Sequence, residues 1–164
     1  MTSDSTPTDP AAADAKSART CGRGANPRRR AREFLVQGLY QAQLAGPAAA
    51  AIQVQAEGVP GFERIDRKLY DSLLADALEH IALLQADVSP FIDRPWAEVS
   101  PIVRSILLLG ACELRFHPET PYRVVINEGI ELAKTYGGTD GHKFVNGVLD
   151  RLAAGLRAAE IAAG

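Results

Sequence analysis

The sequence predicts an all-α protein of about seven helices packed as antiparallel neighbours. Apolar residues recur at three- and four-residue steps along most of the chain, the period of a helix with one buried face. Helix-start signals, Ser100-Pro101 and Thr120-Pro121, and glycine stops, Gly46 and Gly137-Gly138, punctuate those stretches. The β-branched run Val124-Val125-Ile126 is the main strand signal, and it sits inside a helical pattern.

Each element follows in order. Residues 1–26 are rich in Ala, Thr, Ser, Asp, Pro and Gly and poor in large apolar side chains, which predicts a disordered basic tail. A folded domain is expected over 27–164, opening at Pro27 in the first turn of a helix. Ala31, Phe34, Leu35, Leu39, Tyr40 and Leu44 supply its spacing, and Gly46-Pro47 ends it. An Ala-rich stretch, 48–57, reads as a short helix stopped at Gly58. Asp66 then caps a long helix over 66–86, carrying Leu69, Leu73, Ala77, Ile81 and Leu84. Ser89-Pro90 starts a short helix with Phe91 and Ile92. From Ile102 to Phe116 the residues are apolar nearly all round, as expected of a central, buried helix. Thr120-Pro121 opens the next helix. Asp140 is placed to cap the last one, whose stripe is Phe144, Val145, Val148, Leu149, Leu152 and Leu156.

Composition narrows the function. The chain has 164 residues, 46% of them apolar, enough for one core without metals or disulfides. Cys21 and Cys112 form no CxxC pair, which points to a reducing, cytoplasmic setting. No apolar stretch reaches membrane-spanning length, and Met1-Thr2-Ser3-Asp4 opens no secretory signal. The net charge of −2 hides an asymmetry. Residues 16–32 hold seven basic groups and no acid, while from Glu33 onward 11 basic face 17 acidic residues. An acidic body with one basic end points to a polyanionic partner.

Two clusters carry candidate chemistry. Arg28, Arg29, Arg30 and Arg32 stand at a helix start, where the helix dipole disfavours cations. An external phosphate would relieve that conflict through bidentate pairing; the other reading is a solvated charge run. The run Tyr136-Gly137-Gly138-Thr139-Asp140-Gly141-His142-Lys143-Phe144 places three glycines before a helix whose free N–H groups suit an anion. Lys143 adds charge, His142 can donate, and Tyr136 and Phe144 can stack on bases. The alternative is an ordinary stopped and recapped helix with Phe144 in the core. Asn127 and Asn146 read as buried structural hydrogen-bonders, and Gly129 and Gly147 as close helix contacts.

Signals for catalysis are missing. His80, His117 and His142 pair neither with one another nor with a cysteine at ligand spacing. His117-Pro118-Glu119 lacks the Pro-Cys-x-x-Cys half of a zinc deaminase, and no GxSxG, GxGxxG or Walker pattern occurs. Cys112 suits a small core hydrophobe. No enzyme activity, metal or cofactor is expected.

Arg28-Arg29-Arg30-Ala31-Arg32-Glu33 followed by Gln37-Gly38-Leu39-Tyr40 resembles the opening of the NusB family. So do Pro121 to Glu128, Ile130 to Lys134, Tyr136-Gly137, and His142-Lys143-Phe144-Val145-Asn146-Gly147-Val148-Leu149-Asp150. The resemblance implies two packed helical subdomains. It also implies a bacterial antitermination factor that binds boxA single-stranded RNA in nascent ribosomal RNA transcripts. The implied partners are NusE, a ribosomal protein of the small subunit, and RNA polymerase with other Nus factors. By resemblance, Arg28, Arg29, Arg30, Arg32, Tyr136, His142, Lys143 and Phe144 face RNA, and Asp140 lies near it. The resemblance likewise implies that Glu98, Val103 and Arg104 belong to the NusE-receiving surface. Family members often carry an acid where Val103 stands, and a basic residue and a tyrosine in place of Leu108 and Cys112. Two other functions fit the sequence: a helical protein-interaction adaptor, and the RNA-binding accessory domain of an RNA methyltransferase system. A small metal-dependent enzyme would need ligands that the chain does not offer.

Overall fold

The computed structural model describes residues 26–46 and 48–164; Pro47 and the expected tail, with Lys16, Arg19, Cys21 and Arg23, lie outside the described residues. Among the described residues there are eight α-helices and no strand. They are α1 (Pro27–Ala45), α2 (Ala49–Glu57), α3 (Arg67–Glu79), α4 (Ile81–Val88), α5 (Pro101–Phe116), α6 (Tyr122–Tyr136), α7 (Gly141–Leu156) and α8 (Ala158–Ala163). No described helix is long and apolar enough to cross a membrane.

Local capping sets several boundaries where the sequence predicts them. Asn26 accepts the Arg29 N–H at 2.8 Å ahead of Pro27, and Gly46 closes α1 in the left-handed region at φ 62°. Asp66 accepts the Leu69 N–H at 3.0 Å, and Ser100 accepts that of Val103 at 3.4 Å.

Elsewhere tertiary contacts override the local pattern. The helix expected over 66–86 breaks at His80, where no glycine or proline marks a stop. His80 lays its ring on Phe116, with centroids 4.5 Å apart, and α4 turns to follow α5. Arg115 then holds Asp87 of α4 at 2.6 Å. Ser89-Pro90 opens only a single 3₁₀ turn, Ser89–Phe91. Thr120 does not cap α6; it is buried, and the Tyr122 N–H donates to the Glu160 carboxylate of α8 instead.

Helix α5 is the hub. Every residue from Ser105 to Leu114 is buried, as expected from its nearly uniform apolarity. α1, α3 and α4 pack on it from one subdomain, and α6 and α7 pack on it as the other. Carbonyls at the end of α5 and in the turn after it are taken up by buried Arg157. That guanidinium donates to the carbonyls of Leu114 (2.8 Å), Glu113 (3.0 Å), His117 (2.9 Å) and Thr120 (3.0 Å). A cation there also complements the negative end of the α5 dipole. Cys112, midway along α5, is fully buried, and burial pushes its thiol up, so it packs as a small hydrophobe.

Two helices close on α7 through missing side chains. A Cβ on Gly110 or Gly129 would stand 2.7 Å from a Leu149 methyl. Gly129 therefore holds the close contact predicted for it. Gly147 faces open space, and Asn127 and Asn146 are exposed, contrary to the expectation of buried bonds. The buried stripe of α6 runs through Val125, Ile126, Gly129, Leu132 and Ala133, and Asn127 falls off that phase. Thermal or chemical denaturation checks the contrast. Gly129→Ala should cost about 1–3 kcal/mol by overpacking, whereas Gly147→Ala should stabilise by up to about 1 kcal/mol through helix propensity.

Candidate nucleic-acid interface

The arginine run does not act as one patch, because a helix turns consecutive side chains by about 100°. Arg32 points inward. It is 3% exposed and pairs bidentately with Glu113 of α5, itself 1% exposed, through Nη2 at 2.7 Å and Nε at 3.1 Å. The expectation that Arg32 meets RNA is thereby corrected: its donors are spent in the core. Arg29 reaches α6 and grips Glu128 through two 3.0 Å bonds while leaving its guanidinium partly open. Those hydrogen bonds to Glu128, then its charge, hold the Arg29 pKa above the usual value. Arg28 is exposed, 3.8 Å from Asp66. Internal carboxylates thus answer much of the conflict with the helix dipole, and the surplus positive charge faces outward at Arg28 and Arg29.

Arg30 goes elsewhere. It lines a cavity of about 510 Å³ beside α2, together with Glu33, Gln37, Gln55, Phe34 and Tyr136. Burial raises the Glu33 pKa, against the lowering pull of Arg30 and Arg29.

The glycine-rich run shapes a second groove at the start of α7. Asp140 adopts the left-handed region at φ 63° and its side chain makes no capping bond, which corrects its expected role as a cap. Its carboxylate instead lies 3.5 Å from Lys143 Nζ, both exposed. His142 is half-buried. Phe144 is half-buried too, and the Arg94 guanidinium stacks over its ring at 4.9 Å from the centroid. Arg94 is anchored by Asp93 at 2.8 Å; that bond lowers the aspartate pKa and raises that of the arginine. Tyr136 and Phe144, both expected to stack on bases, line different grooves.

Glu98 and Val103 lie along the Phe144 groove, of about 290 Å³. Glu98 is exposed, but Val103 is only 6% exposed and belongs to the core, so its expected place on a partner surface is corrected. An apolar residue at this inward phase of α5 packs rather than reaching out. Leu108 and Cys112, the other departures from the family pattern, are buried in the same way. Arg104 is half-buried, with its guanidinium 5.9 Å from the Trp96 ring centroid.

Three residues escaped the sequence reading. Arg94 carries no motif, and only its placement over Phe144 reveals it. Tyr40 and Leu44, read as part of the buried stripe of α1, are exposed, Leu44 at 58%. Between them Gln43 donates to Pro101 O at 3.2 Å and Ser105 Oγ at 2.7 Å, tying this end of α1 to the start of α5. Their displacement from the Ala31-Leu35-Leu39 phase was the available signal.

Comparison with known proteins agrees with this architecture. The NusB family model matches residues 29–154. The transcription antitermination protein NusB of Azoarcus sp. is 57% identical over 138 residues, covering 83% of this chain and 88% of that protein. The T. maritima NusB structure superposes with a TM-score of 0.69 at 29% identity, covering 79% of this chain and 92% of that one. A crystal structure of NusB and NusE in complex with dsRNA shares the fold, with a TM-score of 0.64 at 23% identity over 76% of this chain and 94% of that one.

The ion pair between α1 and α5 is open to a stability test. Arg32→Met alone strands a buried carboxylate and should cost about 3–5 kcal/mol in urea denaturation. Adding Glu113→Leu should recover most of that loss; a double variant as unstable as the single one would contradict the pairing.

Proposed function

The chain belongs to the NusB family, and on that premise we propose that it is a cytoplasmic transcription antitermination factor, a binding protein rather than an enzyme. It binds boxA-type single-stranded RNA in nascent ribosomal RNA transcripts together with NusE, and with other Nus factors it keeps RNA polymerase processive. Residues 27–164 form the RNA-binding domain, and residues 1–26, with three basic and three acidic side chains, precede it.

The observation that carries the RNA reading is the half-buried Phe144 ring beneath Arg94, beside the glycine-rich start of α7. A base can stack on such a ring only when it is unpaired, which favours a single strand over a duplex. Arg28 and Arg29 hold phosphates along one flank, and Lys143 and His142 do so near Phe144. Asp140 lies against that same edge and moderates its attraction for phosphate. Tyr136 offers a second stacking surface.

NusE docks where α1 meets the start of α5. Exposed Tyr40 and Leu44 supply apolar area, Glu98 and Arg104 supply charge, and Gln43 holds the two helices together. This assignment replaces Val103 with side chains that reach the surface.

Titration with boxA RNA, a scrambled strand and a boxA duplex, with and without NusE, tests the proposal. The boxA strand should bind best, and NusE should sharpen that preference. Phe144→Ala and Tyr136→Ala should each weaken it by about 10-fold, the worth of one stacked base. Equal binding of all three RNAs, indifferent to NusE, would reduce the basic end to a nonspecific polyanion patch.

A further inference from the structure

We propose that the groove between α1 and α2 takes one unstacked nucleobase of the bound RNA, read by Arg30, Tyr70 and glutamine side chains; this rests on the RNA-binding function above. Tyr70 lines the groove, is fully buried, and its hydroxyl has no protein partner. Burial pushes its pKa up to about 12, so the phenol is a neutral donor. Its ring is held edge-on against Phe62, 5.2 Å away, and Phe62 in turn against Phe34, also at 5.2 Å. A buried polar group without a partner is costly and uncommon, and a ligand that accepts its hydrogen bond accounts for it.

Arg30 Nε is the second such group in the same groove, buried and without a protein partner. Its guanidinium lies over Gly61, where a Cβ would stand 2.5 Å from Nη2. Gly61 also has φ +96°, a turn conformation that suits glycine. The loop after α2 therefore positions this cation instead of leaving it to solvent.

The ligand chemistry follows from the lining. Two unpartnered donors call for a molecule with acceptors. The side-chain amides of Gln37 and Gln55 can donate and accept, as edge readers do. Phe34 and Tyr136 give the walls aromatic area suited to a flat ring. A phosphate fits poorly, because Glu33 shares the groove and much of the lining is apolar. A planar heterocycle with carbonyl and ring-nitrogen acceptors satisfies all of these demands. About 510 Å³ is ample for one base. Arg28 and Arg29 lie next to Arg30 on α1, so a strand held by them delivers a base to this groove.

Tyr70→Phe and Gln37→Ala test the inference, with boxA RNA in which each nucleotide in turn is made abasic. Tyr70→Phe removes only an unpartnered hydroxyl, so its Tm should be no lower than that of the unmodified protein. Each variant should bind intact RNA about 5-fold more weakly, the worth of one hydrogen bond. At one abasic position the unmodified protein should lose affinity, and there both variants should bind like it. Variants that bind every RNA as the unmodified protein does would overturn the base pocket while leaving RNA binding intact. No boxA binding by the unmodified protein would remove both proposals together. Weaker capture of NusE by Tyr70→Phe in the absence of RNA would overturn the inference by assigning the groove to a protein side chain.

Discussion

The bidentate pair between Arg32 and Glu113 fixes the rotation of α1 against the hub helix, and the surface chemistry of the protein depends on that rotation. Both groups are out of water, so each requires the other. With Arg32 turned inward, the helical period sends Arg29 toward Glu128, Arg28 toward Asp66 and Arg30 toward the α2 groove. Four arginines that look equivalent in sequence thus receive four environments. A second buried arginine, Arg157, binds the same end of α5, donating to the carbonyls of Glu113 and Leu114. Two buried guanidiniums thus meet at Glu113, where α1 and the end of α7 join the hub helix.

The functional surface follows from that frame. The segment joining α6 to α7 lies between two grooves, one reaching Tyr136 and the other Phe144. The arginine-bearing flank of α1 borders the first, and Arg94 stands over the second. Under the proposed RNA-binding reading, a strand that follows positive charge from Arg28 and Arg29 would meet aromatic rings set in separate grooves rather than one stacked pair. Such spacing favours recognition of several unpaired bases along a strand. In the proposed arrangement the partner face lies at the end of α1 away from Arg28 and Arg29, and through Glu98 it adjoins the Phe144 groove.

Much of the fold was legible because its signals are local. Pro27, Asp66 and Ser100-Pro101 each state a helix start within three residues, and α5 declares its burial through its own composition. The break at His80 was not legible, since its cause is the Phe116 ring of another helix. Asp140 reads as a cap in sequence but adopts a left-handed conformation that turns its side chain away from that task. The burial of Arg32 depends on a carboxylate 81 residues distant, and nothing near the arginine run announces it. Asn127 and Asn146 were misjudged because neighbouring apolar residues do not settle the helical phase. Phe144 was singled out from the glycine-rich run and then from family resemblance, whereas Arg94 became visible only in three dimensions.

The most direct measurement is the salt dependence of boxA binding, compared between surface and core arginine variants. Each phosphate contact to a single strand contributes about 0.7 to the log–log slope. The account predicts that Arg28→Gln with Arg29→Gln lowers the slope by about 1.4, while Arg32→Met with Glu113→Leu, folded but lacking the buried pair, leaves it unchanged. A flattened slope in the core variant, or an unchanged one in the surface variant, would contradict the division of the arginine run on which the account stands.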